Sequence, residues 1–335
     1  MEYWIKSWLL QKNNSNGAIL MLFLGIDTSA YTTSVALVDR EKRLIWEKRQ
    51  LLKVRSGERG LAQSEAFFQH VQTLPDVIQS IPKDFLKLIA AVGVSTAPRP
   101  VEGSYMPVFT AGMAIATSIA SVLEIRLFKT THQEGHLAAG KESAKMLDVP
   151  EFLAFHVSGG TTELLRVQQN CPGKFCLEIL GRSTDLHAGQ FIDRVGVRLG
   201  LSFPAGKELE QLALKASPGS ASLLPSAVKG TEISFSGVES AVQRLIDEKK
   251  RPADLARAVE GCIARSLIKV LEKALENTKL TKVLFVGGVM ANKYIRHEIA
   301  RRIASKAELF WAEPDWSSDN AIGVALLARE SFLNE

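Results

Sequence analysis

One local pattern occurs twice in the chain, once near the start and once near the middle. Residues 21–27 form a short apolar run, a hydroxyl-rich turn follows, and residues 34–39 form a second apolar run. Residues 152–157 and 164–167 repeat this arrangement around the turn at 158–163. Short apolar runs bounded by turn signals predict buried strands, so each copy is a predicted β-hairpin. Two such hairpins predict two related halves, each a mixed sheet with helices, separated by a cleft.

The segments after each hairpin predict further helices and strands. A third strand at 44–49 precedes a predicted helix at 60–81, and no G-x-G-x-x-G motif follows any early strand. This order excludes a dinucleotide-binding βαβ unit. The other predicted strands are 85–94, 282–286 and 309–311. The other predicted helices are 108–123, 189–199, 207–215, one directly after 237, 251–277, 296–305 and 321–332, with a loop at 216–232.

Composition limits the class of protein. A chain of 335 residues with 46% hydrophobic and 23% charged residues can form two ordinary globular domains. Three scattered cysteines predict a reducing, cytoplasmic compartment, and no apolar run is long enough to predict a membrane span. The net charge of +5 is compatible with an RNA or nucleotide partner. Residues 1–20 lack the parts of a secretory signal and are predicted to be an extension outside the fold.

Two histidines stand four residues apart, at His132 and His136. On a helix this spacing places both imidazoles on one face, where they can reach one metal ion. The helical metalloprotease motif needs Glu directly after the first His, but Gln133 stands there and Glu134 follows one residue later. The pair therefore predicts a metal-holding site rather than a protease. Spacing alone leaves open the alternative of two histidines on a helix surface.

Two small-residue turns follow predicted strands. Gly159 and Gly160 allow the backbone to approach a ligand closely, and successive N–H groups in such a turn can hold a phosphate. A second strand runs into Gly287 and Gly288, and Asn292 follows at the predicted helix start. This position, at the carboxyl end of a strand, is where ligands commonly bind in such sheets.

These segments, taken in order, resemble the TsaD family, once described as O-sialoglycoprotein endopeptidases, and resemble its bacterial members more than its eukaryotic ones. The resemblance covers residues 21–335, and the ordered set of motifs is more specific than any one of them. The motifs are Gly-Ile-Asp27-Thr-Ser, the His132/His136 pair, Val-Ser158-Gly-Gly160, Ala-Gly189-x-x-x-Asp193, Pro204-x-Gly206, Ser-Phe-Ser236-Gly, Gly-Gly-Val-x-Ala-Asn292 and Ser-Asp319-Asn-Ala.

The resemblance implies an α/β fold of the ASKHA (actin and sugar-kinase) type with two related actin-like lobes. The N-terminal lobe would span residues 21–128, with the C-terminal helix at 317–335 returning to it, and the C-terminal lobe would span residues 129–316. The implied activity is transfer of a threonylcarbamoyl group from threonylcarbamoyl-adenylate to N6 of an adenosine in tRNA. That adenosine lies directly 3′ of the anticodon in tRNAs that read ANN codons.

The resemblance also implies a site and partners. His132, His136 and Asp319 would hold one Fe or Zn ion between the lobes. The first hairpin of the superfamily faces the phosphates of a nucleotide, which makes Asp27, Thr28 and Ser29 candidate phosphate-facing residues. The implied partners are tRNA and TsaB-like and TsaE-like proteins, and the ligand would be the adenylate or an ATP- or AMP-like nucleotide. The positions that match the family's adenylate site are Val157, Ser158, Gly159, Gly160, Thr161, Asp193, Gly206 and Asn292.

Several positions depart from the family pattern around the predicted cleft. Thr161 stands where His is usual, Leu186 and Gln190 replace carboxylates, and Glu239 replaces a Lys. The loop at 97–103, which includes Arg99, lacks two of the usual glycines. The three metal positions are unchanged, so the pattern predicts a divergent paralog with an altered substrate-contacting shell. His187 is new here and is either a replacement acid, base or ligand or a surface residue.

Two other functions fit the same sequence. The altered loop and lost charges also fit a non-catalytic or regulatory homologue that binds a nucleotide and acts with partner subunits. An ASKHA ATPase or small-molecule kinase would use Asp27 as its base, but the histidine pair would then have no role.

Overall fold

The computed structural model describes residues 21–29, 31–54, 61–147 and 149–335. The predicted extension at 1–20 lies outside the described residues. The first half of the chain forms a five-stranded mixed sheet in the order β3-β2-β1-β4-β5. Its strands are β1 (Leu22–Asp27), β2 (Thr32–Asp39), β3 (Leu44–Leu51), β4 (Ile89–Ser95) and β5 (Arg126–Thr130).

The second half forms a seven-stranded mixed sheet in the order β12-β11-β6-β7-β8-β10-β9. Its strands are β6 (Glu151–Val157), β7 (Thr162–Cys171), β8 (Lys174–Ser183), β9 (Val228–Lys229), β10 (Glu232–Ile233), β11 (Lys282–Val286) and β12 (Glu308–Trp311).

The two sheets share one topology. β1 is antiparallel to β2 and parallel to β4, and β6 is antiparallel to β7 and parallel to β11. The outer strands continue the correspondence, since β3 pairs with β2 as β8 pairs with β7, and β5 pairs with β4 as β12 pairs with β11. The short strands β9 and β10 extend only the second sheet. The predicted α/β fold with two related halves is confirmed.

Helices cover both sheets, and most begin and end within a few residues of their predicted bounds. They are α1 (Gln63–Gln79), α2 (Lys83–Leu86), α3 (Phe109–Val122), α4 (His132–Ser143), α5 (Ala188–Arg198), α6 (Gly206–Ala213), α7 (Ser236–Asp247), α8 (Pro252–Thr278), α9 (Lys293–Ile303), α10 (Pro314–Ser317) and α11 (Ile322–Leu333). Within the residues that the structure describes, no helix is both long and apolar enough to cross a membrane.

Several segments differ from the sequence-based prediction. β5 was not predicted, because it is a short edge strand in which Arg126 and Lys129 are exposed and interrupt the apolar pattern. The strand predicted at 85–94 begins only at Ile89, since the residues before it form the helical turn α2. The predicted loop at 216–232 contains a short 3₁₀ turn and the edge strand β9.

The C-terminal helix α11 packs on the N-terminal sheet through glycines. A Cβ atom on Gly25 of β1 would lie 2.7 Å from the backbone nitrogen of Ala325, and one on Gly93 of β4 would lie 2.6 Å from the carbonyl oxygen of Val324. Such distances are shorter than van der Waals contact, so only glycine lets the strands meet the helix backbone this closely. The structure therefore places the end of the chain against the first lobe.

The same helix crosses α4 at a second glycine contact. A Cβ atom on Gly323 of α11 would overlap the carbonyl oxygen of Gly135 in α4 and would lie 2.6 Å from its carbonyl carbon. The two helix backbones therefore touch directly. Because Asp319 precedes α11 and His132 and His136 lie on α4, this crossing sets the distance between the predicted metal ligands.

A Gly323→Ala substitution tests this contact. The added methyl group must push α11 away from α4, so we expect the free energy of unfolding to fall by about 1–3 kcal/mol. Gly237→Ala in α7 is the matched control, because a Cβ atom there has no neighbour within 4 Å. We expect that control to stay within about 0.5 kcal/mol of the parent protein. Urea unfolding measures both, and equal effects in the two variants would contradict the close contact.

Candidate metal centre between the lobes

The helix that carries the histidine pair begins with a capping box. The hydroxyl of Thr131 accepts a hydrogen bond from the backbone N–H of Glu134 at 3.3 Å, and the Glu134 carboxylate accepts one from the backbone N–H of Thr131 at 3.0 Å. These reciprocal bonds start α4 at His132. Glu134 is buried and also accepts from the Thr131 hydroxyl at 2.8 Å. The only carboxylate near the histidine pair in sequence therefore stabilises the helix start.

The structure brings the three predicted metal ligands together. His132 Nε2 and His136 Nε2 lie 3.1 Å apart, and Asp319 Oδ1 lies 3.5 Å from the first and 3.3 Å from the second. The ligand atoms of all three residues lie within 4.8 Å of one another. Two imidazole nitrogens and one carboxylate oxygen at this spacing suit Fe²⁺ or Zn²⁺ and leave other coordination positions open.

Asp27, at the end of β1, holds the outer side of this group. Its Oδ2 atom lies 3.0 Å from His132 Nδ1 and accepts a hydrogen bond from the Ser29 hydroxyl at 2.7 Å, while Ser95 at the end of β4 donates to Oδ1. A carboxylate on one imidazole nitrogen fixes the ring and directs the other nitrogen toward a metal. The Thr28 hydroxyl donates to the carbonyl of Val108 at 2.9 Å, so the side chains of Asp27, Thr28 and Ser29 are all bonded within the protein. Phosphate contact by this turn stays a prediction.

Charge in the centre favours a bound cation. Burial raises the pKa of Asp27 and Asp319, but the imidazoles beside them, joined at Asp27 by the hydroxyls of Ser95 and Ser29, have the larger combined effect and hold both pKa values below the ordinary range. Burial lowers the pKa of His132, yet the two carboxylates outweigh it and raise the pKa to about 10. Burial and the charge of His132 lower the pKa of His136. Two ionised carboxylates therefore flank a protonated His132. A divalent cation would displace the second proton of that imidazole, so the residues fit a metal ion.

Another histidine lies next to this group, and sequence reasoning missed it. His156 is the penultimate residue of β6 and is 1% exposed, and neither of its ring nitrogens has a hydrogen-bond partner in the part of the chain that the structure describes. Its ring centroid lies 4.7 Å from that of His136 and 6.5 Å from that of His132. Burial and the neighbouring imidazoles lower the pKa of His156 well below its ordinary value. The signal was a polar residue inside an otherwise apolar strand that ends at the predicted ligand turn.

The Ser-Gly-Gly turn after β6 is shaped by its own side chain. The Ser158 hydroxyl accepts from the backbone N–H groups of Gly160 at 3.2 Å and Thr161 at 3.1 Å. Gly189 in the first turn of α5 lies directly against this turn, because a Cβ atom there would be 2.6 Å from the nitrogen of Gly159. The two glycines of the turn are exposed. Their backbone is therefore open to a ligand beside a helix start.

Asp193 and Tyr31 connect the predicted adenylate residues with the metal centre. Asp193 accepts a hydrogen bond from the backbone N–H of Ala205 at 2.8 Å, and burial raises its pKa. The next residue, Gly206, begins α6. Burial raises the pKa of Tyr31, and the charges of Asp193 and Asp319 raise it further. The charges of both carboxylates therefore act on Tyr31. Val157, also predicted there, is fully buried.

An ion pair crosses the cleft at one of the departures from the family pattern. Arg99, in the loop after β4, contacts Glu163 at the start of β7 with a distance of 2.5 Å. The buried Glu163 carboxylate also accepts from the Gln133 side chain at 2.7 Å. His187, at the start of α5, is half-buried; burial lowers its pKa, and the charges of Glu163 and Arg99 also act on it. Direct contacts thus join Arg99, Glu163 and Gln133 into a polar group beside α4 that sequence reasoning did not assemble.

Asn292 caps α9 and contacts a buried acid. Its side-chain oxygen accepts from the backbone N–H of Ile295 at 2.9 Å, and its amide donates to Glu260 at 2.7 Å. Arg257 lies 2.8 Å from the other oxygen of Glu260. Burial raises the pKa of Glu260 to about 7. The predicted contact of Asn292 with the adenylate stays a prediction, and its observed role is structural.

A Glu260→Gln substitution tests this buried acid. Because the pKa of Glu260 is raised in the folded protein, the unfolded chain loses this proton first as pH rises. The protonated group therefore contributes its full stabilisation to the wild-type protein below about pH 4.5, and the free energy of unfolding falls as pH rises toward 7. The neutral glutamine removes this loss. We expect the variant to gain up to about 3 kcal/mol relative to wild type between about pH 5 and about pH 8. Urea unfolding of both proteins at about pH 5 and about pH 8 measures this gain. A difference in the free energy of unfolding that does not change with pH would contradict the raised pKa.

Solved structures of other proteins share the fold. The activator of the 2-hydroxyisocaproyl-CoA dehydratase from Clostridium difficile, with bound ADPNP, is 14% identical with a TM-score of 0.54, covering 93% of this chain and 95% of that one. Component A of the (R)-2-hydroxyglutaryl-CoA dehydratase from Acidaminococcus fermentans is 14% identical with a TM-score of 0.54, covering 94% and 99%. A ROK family glucokinase from Streptomyces griseus, in complex with glucose and AMPPNP, is 12% identical with a TM-score of 0.52, covering 92% and 99%. At these identities the likeness concerns the ASKHA fold alone.

The sequence itself matches one family. The model of the TsaD family, described as tRNA N6-adenosine threonylcarbamoyltransferase, matches residues 51–326, which is most of the chain. The match confirms the resemblance inferred from the ordered motifs. The family consists of metal-dependent transferases, and the His132, His136 and Asp319 group fits that dependence. The chain belongs to the TsaD family.

Proposed function

We propose that this protein transfers the threonylcarbamoyl group of threonylcarbamoyl-adenylate to N6 of the adenosine directly 3′ of the anticodon in tRNAs that read ANN codons. The observation that carries the proposal is the convergence of His132, His136 and Asp319 within 4.8 Å, in a chain of the TsaD family. In the reaction the N6 nitrogen bonds to the carbamoyl carbon, the bond from that carbon to the phosphate oxygen breaks, AMP leaves and N6 loses one proton.

The side chains of the centre support this chemistry in distinct ways. When bound, a Fe²⁺ or Zn²⁺ ion would supply a Lewis acid that holds and polarises a carbonyl or carboxylate oxygen of the substrate. Asp27 keeps the His132 ring oriented, so that Nε2 faces the cleft beside His136. The buried Glu134 remains in the helix cap and takes no part.

The turn at 158–161 and the residues Asp193, Gly206 and Asn292 form the proposed adenylate site. The exposed backbone of Gly159 and Gly160 suits the phosphate, and the Asp193 carboxylate suits ribose hydroxyl groups. We propose tRNA as the acceptor, and TsaB-like and TsaE-like proteins as partners.

A nucleotide-binding homologue without transfer activity is the second candidate. The Arg99–Glu163 ion pair favours it, because a charged side chain spans the cleft where the family pattern has small residues. An ASKHA ATPase or kinase is less well supported. Asp27, its expected base, is fully buried and has each carboxylate oxygen bonded to side chains of the protein.

Metal binding is the first prediction from this proposal. We expect about one Fe or Zn ion per chain, lost in His136→Ala because one of three protein ligands is removed. Asp27→Asn should weaken binding by roughly 10–100-fold, since it orients His132 from outside the ligand set. His297→Ala, at an exposed position on α9, is the control and should bind as wild type does. Elemental analysis and competition with a chelator measure these values. Full occupancy in His136→Ala would overturn the site.

Transfer to tRNA is the second prediction. Metal-loaded protein, threonylcarbamoyl-adenylate and an ANN-reading tRNA, with the partner proteins added, should give modified adenosine, detected by mass spectrometry of digested tRNA. His136→Ala should give none, while His297→Ala should match wild type. Adenylate binding without transfer in the loaded wild-type protein would contradict the transferase proposal and support the second candidate.

A further inference from the structure

The alternation of side chains along β6 determines which face of the sheet carries His156. Along β6 successive side chains point to opposite faces of the sheet. Phe155 stacks on Phe285 on one face, with ring centroids 5.9 Å apart, while Phe152 and Ala154 pack with Leu137 of α4 on the other. His156 shares the face of Phe152 and Ala154, which is the face that α4 covers. Its ring therefore points toward the helix that carries the predicted metal ligands.

The ring is buried without polar partners, which is costly for a core residue. Its side chain is 1% exposed, and neither Nδ1 nor Nε2 has a hydrogen-bond partner among the described residues. Leaving a buried polar group unpaired costs about 1–3 kcal/mol, and an apolar side chain of similar size would avoid that cost. Within the same described ranges, His136 Nδ1 also has no hydrogen-bond partner. Two neighbouring imidazoles with unused nitrogens indicate that a group outside the protein chain completes this pocket.

The spacing of the three rings is close to what one ion requires. The centroids of His132 and His136 lie 4.4 Å apart, those of His136 and His156 4.7 Å, and those of His132 and His156 6.5 Å. A nitrogen ligand lies about 2 Å from Zn²⁺, so two ring centres bound to one ion are at most roughly 6 Å apart. The first two separations satisfy this limit, and the third, at 6.5 Å, lies slightly beyond it, so one ion can bind all three rings only if the His156 ring shifts toward it.

We infer that His156 is a further protein ligand of the ion held by His132, His136 and Asp319. The inference rests on the metal site of the proposed function and extends it from three protein ligands to four. The ligand atoms of His132, His136 and Asp319 lie within 4.8 Å of one another, and the nitrogens of His156 are not part of that group. The His156 ring therefore moves toward the ion when the ion binds. A third imidazole leaves fewer open positions for substrate oxygens and increases selection for a metal that prefers nitrogen ligands.

Cobalt substitution tests the number of imidazoles directly. In the full-length wild-type protein loaded with Co²⁺, each coordinated imidazole gives one paramagnetically shifted N–H proton resonance. We expect three such resonances in wild type and two in His156→Phe. The Co²⁺ dissociation constant of His156→Phe should rise by more than the roughly 100-fold that loss of an outer partner produces. His70→Phe, which replaces a fully buried histidine on α1, is the matched control and should keep three resonances.

The outcomes separate the inference from the proposed function. Two resonances in wild type, or unchanged Co²⁺ affinity in a folded His156→Phe, would overturn the role of His156 and leave the three-ligand site intact. Wild-type protein that binds no Co²⁺ would overturn both. The metal-free His156→Phe protein should have a melting temperature equal to or above wild type, because it loses an unpaired buried ring, and the increase on adding Co²⁺ should shrink.

Discussion

The crossing of α4 and α11 at Gly135 and Gly323 is the contact on which the candidate site depends. Backbone meets backbone there without an intervening side chain, so the helices approach more closely than ordinary side-chain packing allows. One helix begins with the histidine pair, and Asp319 lies just before the other. Gly25 and Gly93 allow the same close backbone contact between α11 and the first sheet. Four glycines thus fix the position of the two helices from which the three ligand side chains come.

A second constraint is electrostatic. Asp27 and Asp319 place two ionised carboxylates around His132 in a buried setting, where an isolated charge would be expensive. Without a cation, the arrangement is balanced by a proton on His132, which explains why its pKa rises to about 10 despite burial. A divalent cation would replace that proton and satisfy the same carboxylates. The centre is thus organised for positive charge before any ion binds.

Local patterns in the sequence were sufficient to predict the two-lobed fold and most helices. The duplicated hairpins predicted the duplicated sheets, because alternating apolar strands and hydroxyl turns are short-range signals. Contacts between distant segments were not predictable in this way. In the sequence, His156 is one residue of a predicted buried strand. Only the packing of β6 under α4 brings it beside His136. The Arg99–Glu163 pair likewise joins the loop after β4 in one lobe to strand β7 in the other, and the edge strand β5 has too few apolar residues to be recognised.

The position of Asp319 near the end of the chain has a consequence for synthesis. His136 and Asp319 are 183 residues apart, and α11 also covers the face of β1 and β4 that the first hairpin leaves bare. The N-terminal sheet therefore cannot complete its packing until α11 has been made, even though its own strands are made first. The three side chains of the candidate metal centre likewise come together only after synthesis has passed Asp319. A nascent chain shorter than that has both histidines but lacks the carboxylate that joins them.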